Sequence, residues 1–279
     1  MSYKTILVHL NNERRAGPLL ELGAALARQF EAHLVGLHVF PSFRLTPPVP
    51  LPFGGEVAGA IRKEIREEAE RLRAVFDRVT STQSFVAEWR SITTERTDVA
   101  TVVLNHARAA DLVIASQADP DWSFSDILDC PDRLAIESGR PVIVVPRAGR
   151  FASLPKIVAI AWNGRREAAR AVFDAMPLLQ LAELVHVLTL DETGREQEGS
   201  LPDTEIGATL ARHRVNVSLG KWSAKESSAA DELRRAAVRK HAELLVMGAY
   251  GHSRFNELVF GGATRGMLKK MTMPVLFSH

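Results

Sequence analysis

The residues best suited to chemistry lie in the run Gly248-Ala-Tyr-Gly-His-Ser-Arg-Phe-Asn-Glu-Leu-Val-Phe-Gly-Gly-Ala-Thr264. Its glycines, Gly248, Gly251, Gly261 and Gly262, stand between an apolar, strand-like stretch (Glu243–Met247) and a helical pattern (Thr264–Met271). Glycine lets a backbone approach a ligand closely and take positive φ. Amides at the start of the following helix, helped by its dipole, can then donate to an anion. The same spacing also fits a Gly-rich turn that joins strand to helix and holds no ligand. His252 is the one histidine inside the run, where it could touch a phosphate or simply face solvent. Elsewhere the nine histidines show no His-Glu-x-x-His metal spacing, and there is no Gly-x-Ser-x-Gly elbow or Gly-Lys-Ser/Thr phosphate loop. No catalytic residue and no metal site are therefore expected.

The elements that must position this loop occur twice. Asp111-Leu-Val-Ile-Ala-Ser116 resembles Glu243-Leu-Leu-Val-Met-Gly248, and Gly139-Arg-Pro-Val-Ile-Val-Val-Pro146 resembles Thr272-Met-Pro-Val-Leu-Phe-Ser-His279. Thr5-Ile-Leu-Val-His-Leu10 answers Ile157-Val-Ala-Ile-Ala-Trp162. The order is constant and the offset shrinks along the chain, so the first copy carries roughly 20 extra residues, an insertion a surface loop tolerates. The Pro- and Gly-rich stretch 41–55 is that excursion and reads as irregular chain.

In the first copy strands are predicted near Thr5–Leu10, Leu34–Phe40, Phe85–Arg90, Asp111–Ser116 and Pro141–Val145, with a long amphipathic helix over Glu56–Val79. In the second they fall near Lys156–Trp162, Glu183–Leu190, Val215–Leu219, Glu243–Met247 and Pro274–Phe277. Its helices fall near Arg165–Leu181, Asp203–His213, Ala224–His241 and Thr264–Met271. Runs such as Ile143-Val-Val145 are apolar on both faces, as in a parallel sheet covered on both sides. The fold class is α/β: two tandem, doubly wound, parallel five-stranded sheet domains, over residues 1–148 and 154–279. Ligands of such sheets bind at the carboxyl ends of the strands, where the winding reverses. Each copy ends in a short strand, Pro141–Val145 or Pro274–Phe277, and the two copies are expected to pack through these as a pseudo-two-fold pair.

Composition narrows the partners. With 35 Lys and Arg against 33 Asp and Glu, a net charge of +2 offers no field for holding nucleic acid or an anionic membrane. The apolar N-terminal run is too short for a signal-peptide core or a membrane span, and the single Cys130 fits a reducing compartment, so a cytoplasmic protein is expected.

The pattern Gly-x2-Gly-x9-Gly at Gly248, Gly251 and Gly261, followed by a helix and a Met-Pro-Val-Leu strand, resembles the ATP-binding signature of universal stress proteins. Trp162-Asn-Gly-Arg-Arg-Glu-Ala-Ala-Arg-Ala-Val resembles the family's opening strand and helix, and the repeat resembles its tandem members. The resemblance implies an adenine nucleotide, ATP (with Mg2+) or AMP, in the second domain and a regulatory or protective stress-response role with at most slow ATP hydrolysis. Further homodimerisation would also be in keeping with it.

Carried over, Met247 and Gly248 would flank ribose and phosphates. Gly251, Gly261, Gly262, Ala263 and Thr264 would line the phosphate loop, and Ala161, Trp162, Asn163, Leu188 and Thr189 would border the base. Two positions depart from the pattern. Gly262 replaces a Ser or Thr, with Thr264 nearby as another hydroxyl, and Asn163 replaces an Asp, keeping an acceptor but losing a charge. In the first copy the matching stretch, Ser116 to Asp126, has no glycine and carries Asp119, Asp121 and Asp126, whose carboxylates would repel phosphate. A nucleotide-free interaction scaffold is the alternative, and an ATP-using enzyme ranks last because no nucleophile and base are placed.

Overall fold

The computed structural model describes residues 2–42, 54–95, 98–190, 203–222, 228–249 and 261–279. The first half runs β1 (Thr5–His9), α1 (Glu13–Phe30), β2 (His33–Pro41), α2 (Gly54–Thr80), β3 (Ala87–Thr94), α3 (Val99–Ala107), β4 (Leu112–Ser116), the short α4 (Ser125–Leu128) and α5 (Pro131–Glu137), and β5 (Val142–Val145). The second half follows with β6 (Ile157–Trp162), α6 (Arg166–Asp174), α7 (Met176–Leu179), β7 (Leu184–Leu190), α8 (Asp203–Arg212), β8 (Val217–Trp222), α9 (Ala229–Arg239), β9 (Leu244–Gly248), α10 (Gly261–Lys270) and β10 (Val275–Ser278).

All ten strands join one sheet in the order β3-β2-β1-β4-β5-β10-β9-β6-β7-β8. Every neighbouring pair is parallel except β5 and β10, which run antiparallel with Val144 opposite Val275, Ile143 opposite Leu276 and Val142 opposite Phe277. The expected pairing of the two closing strands is thus present, and it merges two five-stranded parallel sheets into one.

Side chains alternate along each strand, so one core lies on each face of this sheet. Ile6, Val8, Ile114, Ile143, Ile160 and Leu276 meet Leu19 and Leu26 of α1, Phe76 of α2 and Val172 of α6. Leu7, Val113, Val142, Leu245 and Phe277 face the other way, toward Val103 of α3, Leu134 of α5, Leu233 of α9 and Met267 of α10. Both cores run unbroken across the β5–β10 seam, and Tyr3 adds a polar tie by donating from its hydroxyl to the Asp174 carbonyl, 2.6 Å away.

Local chemistry explains most element ends. Asn12 caps α1 by accepting from the Arg14 amide, and Glu31 closes that helix with φ 50°. The helix expected over Arg165–Leu181 is two pieces, α6 and α7. Pro177 cannot donate into the preceding turn and instead takes a first-turn position of α7. Ser228 caps α9 by accepting from the Asp231 amide at 3.2 Å, so the described helix starts at Ala229, and residues 224–227 of the helix expected there lie outside the described residues.

Two strand boundaries also differ from expectation. β3 reaches Thr94 because it pairs along β2 up to Pro41, although Ser91, Thr93 and Thr94 carry little apolar signal. β8 begins at Val217, after Arg214 has turned the chain with φ 64°, and extends to Trp222 opposite Leu190. Of the excursion expected over 41–55, Pro41 belongs to β2 and Gly54 and Gly55 to α2, while residues 43–53 lie outside the described residues. No helix among the described residues is long and apolar enough to cross a membrane.

Two outcomes follow from the shared sheet. Phe277 is fully buried on the seam, so Phe277→Ala should lower stability by about 3–5 kcal/mol. Urea unfolding should show one transition for tryptophans of both halves, Trp89 and Trp122 with Trp162 and Trp222, and separate transitions would contradict a common core.

A third outcome concerns His9, at the end of β1. Burial above all, then His38 and Arg15, push its pKa down to about 3. It is neutral in the fold and titrates near 6.5 when unfolded. Stability is therefore complete above pH 6.5 and lost as pH falls toward 3, by up to about 1.4 kcal/mol per pH unit. Denaturation midpoints of His9→Leu measured from pH 7 to 5 should fall less steeply than those of the unmodified protein.

Candidate functional site

In the second half the chain winds outward through β6, β7 and β8, then returns to place β9 on the other side of β6. The reversal leaves a crevice above the carboxyl ends of β6 and β9. Strand register brings the sequence-predicted residues together there: Ala161 lies opposite both Leu188 and Met247, and Trp162 opposite Thr189. Gly248 ends β9 and α10 starts at Gly261, and residues 250–260 of the predicted loop lie outside the described residues. Gly251 and His252 lie outside the described residues.

The remaining positions divide by role. Gly262 is exposed, and a Cβ added there would meet nothing within 4 Å, so the first turn of α10 leaves room at its backbone. Ala263 is partly exposed. Thr264 is buried at 2% exposure and already engaged within the protein. Asn163 uses its Oδ1 to accept from the Arg165 amide at 3.1 Å, with Gly164 at φ 68° completing the turn into α6. Trp162 is partly buried and packs on the core.

Gly248 has a structural reason to be glycine, because a Cβ would stand 2.6 Å from the backbone carbon of Glu167. Glu167 is itself buried at the start of α6. Burial disfavours its carboxylate, but the Arg166 guanidinium hydrogen-bonds it and, with a backbone amide, holds its pKa below the ordinary value. No cluster of His, Cys, Asp or Glu suited to a metal occurs among the described residues.

The first half has the same reversal, between β1 and β4. A cavity of about 630 Å³ sits there, at the ends of β1, β2 and β4. Its floor is a buried polar network. Asp129 accepts from Asn11 Nδ2 (2.6 Å), the Asp119 amide (2.9 Å) and Ser125 Oγ (2.7 Å), and pairs with Arg15 at 3.7 Å. Arg15 also donates to the Gln117 carbonyl.

Two of the three carboxylates expected to repel phosphate in this loop stand beside a cation. Asp119 pairs with Arg147 at 3.0 Å, and Asp121 lies 3.8 Å from the same guanidinium. Burial works against the Asp119 carboxylate, but Arg147 and the Asp121 amide keep its pKa below the ordinary value. The loop departs from a phosphate loop in shape more than in charge: Trp122 and Phe124 lead into α4, and no glycine-lined approach exists. Sequence reading missed Asn11, Arg15, His38 and Asp129. The available signal was the polar Asn11-Asn12 following directly on an apolar strand, but only the folded topology brings it to His38 and Asp129.

These features define a doubly wound α/β protein with one crevice per half. Residues 156–279 match the model of the universal stress protein family. A universal stress protein from Synechocystis sp. is 27% identical over 148 residues, which is 52% of this chain and 49% of that relative, so the match spans about half of the relative's length. The crystal structure of a universal stress protein from Archaeoglobus fulgidus superposes with a TM-score of 0.67 at 12% identity, covering 98% of this chain and 95% of that one. A functionally unknown protein of Pseudomonas aeruginosa gives 0.56 at 17%, covering 99% and 92%. The second half of the chain is thus similar to the universal stress protein family, and both halves share the fold of such proteins.

The two crevice glycines should respond oppositely to substitution. Gly248→Ala forces a methyl group into backbone and should destabilise the protein by about 1–3 kcal/mol with no ligand present. Gly262→Ala, in open space on a helix, should be neutral or stabilise by up to about 1 kcal/mol. Thermal unfolding of the two variants checks this, and equal losses would contradict the packing described for Gly248.

Proposed function

We propose that the second half binds one adenine nucleotide, ATP with Mg2+ or AMP, and that the protein serves as a ligand-dependent regulatory or protective module in a stress response, not as a dedicated enzyme. The observation that carries this reading is the convergence of Ala161, Leu188 and Met247 in one register line at the winding reversal, together with open space at Gly262 in the first turn of α10. The sheet ends offer an apolar slot for a base, and a helix start offers amides to phosphate. Neither group supplies a nucleophile or general base, which favours binding over turnover. Residues 1–148 and 154–279 are the units in which we place this division of labour.

A nucleotide-free scaffold is the competing reading. It is favoured by Gly248, whose identity packing already explains, and by the Asn163 oxygen, which is occupied by the Arg165 amide.

Titration calorimetry on the full chain separates the two. One site per chain is expected for ATP or AMP, with Gly261→Val abolishing binding. Gly262→Ser should tighten binding by about one hydrogen bond, 0.5–1.5 kcal/mol. Two sites per chain would refute the assignment to the second half, and no heat with either the native protein or Gly262→Ser would leave the scaffold reading standing.

A further inference from the structure

The ten-stranded sheet ends on two edges, β3 and β8. Leu34 to Pro41 pair in unbroken register with Ala87 to Thr94. At the two ends of that register the Leu34 amide donates to the Val86 carbonyl at 2.9 Å and the Ser42 amide to the Thr94 carbonyl at 2.6 Å. These bonds set the phase of β3: its even-numbered residues turn their backbone groups toward β2. The amides and carbonyls of Ala87, Trp89, Ser91 and Thr93 therefore point away from the sheet, and among the described residues no further strand pairs with them.

An open edge is a template for another strand unless a proline, a lysine or a bulge blunts it. β3 is eight residues long and has none of these: Ala-Glu-Trp-Arg-Ser-Ile-Thr-Thr holds neither Pro nor Lys, and its register admits no extra residue. Its two charges cancel, because Arg90 forks onto Glu88 at 2.7 and 2.9 Å. Val86, 65% exposed, adds an apolar side chain just before the strand. The other edge is better protected, since β8 is shorter and carries Gly220 and Lys221.

The residues of β3 also specify what fits against it. In an antiparallel pair, residues whose backbone groups point at the partner exchange hydrogen bonds, and the residues between them bring their side chains closest together. With a two-fold axis through Trp89, Ala87 of one copy would exchange bonds with Ser91 of a second copy, and Trp89 with its own counterpart. Between those pairs Glu88 would face Arg90 on both sides of the axis, and Val86 would face Ile92. All four side chains lie on one face of the sheet. Moving the axis by one residue in either direction sets Arg90 or Glu88 against its own counterpart, and like charges directly opposite are destabilising.

We propose that two copies of the chain associate through β3, antiparallel and in the register centred on Trp89, so that the sheet continues from one molecule into the next. Main-chain bonds supply the attraction, and the facing charges select the register. The association repeats at the outer edge the antiparallel join that β5 and β10 make within the chain. It uses neither crevice and is independent of the nucleotide reading.

Sedimentation equilibrium of the full chain over a concentration series should show a reversible monomer–dimer equilibrium. Glu88→Arg and Arg90→Glu, each checked for folding by circular dichroism, should weaken it about tenfold or more, because each sets like charges opposite on both sides of the axis. An equimolar mixture of these two variants should dimerise again, since unlike charges then face each other across the axis although neither copy keeps its own Glu88–Arg90 pair. Mild oxidation should cross-link Val86→Cys with Ile92→Cys in a mixture but neither variant with itself, and the buried Cys130 takes no part. A chain that stays monomeric at every concentration, a dimer that both charge variants leave unchanged, a mixture no more dimeric than its components, or cross-linking of Val86→Cys with itself would each overturn the proposal. Sedimentation of the unmodified chain decides the matter even if a variant fails to fold.

Discussion

The antiparallel pairing of β5 with β10 is the constraint on which the rest of the molecule depends. A parallel sheet built from one half alone would end on a strand that is buried along its whole length here, Val142–Val145 or Val275–Ser278, with its ladder groups unpaired. Joining the two edges satisfies those groups and lets each core run from one half into the other. Because the join is antiparallel, all strands of the first half run opposite to those of the second. Their carboxyl ends therefore lie on opposite margins of the ten-stranded sheet, and so do the two crevices. The repeat cannot build one composite site between its halves; it builds two sites that face apart and are free to differ.

They do differ, and in kind. The second crevice is backbone chemistry: strand ends without charged side chains, followed by a helix whose first turn is open. The first is side-chain chemistry: an arginine, an asparagine and a histidine on a buried aspartate, under aromatic walls. Gln117 connects the first crevice to the other half. Its side-chain amide donates to the carbonyls of Leu268 and Lys269 at the end of α10, at 2.8 and 3.1 Å, and its Oε1 accepts from the Arg147 amide at 3.0 Å. Its own carbonyl receives Arg15. Helix α10 of the second half thus ends on a residue that shapes the first crevice, and capping those terminal carbonyls fixes α10 at that end.

Much of the fold could be read from residue order alone because the repeat states it twice. Leu112–Ala115 and Leu244–Met247 are apolar throughout, as strands buried on both faces must be, and their equivalence helped to locate the other strands relative to them. Boundaries were missed where a neighbour and not the strand's own residues sets the length, as at β3 and β8, and where one proline splits a helix, as at Pro177. In the second crevice, Ala161, Leu188 and Met247 were legible because strand ends and register follow from the winding. The first crevice was not, because Asn11, His38 and Asp129 are far apart in the chain and each is unremarkable alone. Asp119 and Asp121 looked like repulsive charges because their partner, Arg147, approaches only across the sheet end.

The central claim is that one fold, duplicated, carries two crevices with separate chemistry on opposite margins of a single sheet. Amide chemical-shift mapping of the full chain during titration with ATP tests it most directly. Shifts confined to the ends of β6, β7 and β9 and the start of α10, with Asn11, Arg15 and His38 unmoved, are the result predicted. Saturable shifts centred on the ends of β1, β2 and β4 would place the nucleotide in the first half and contradict the account.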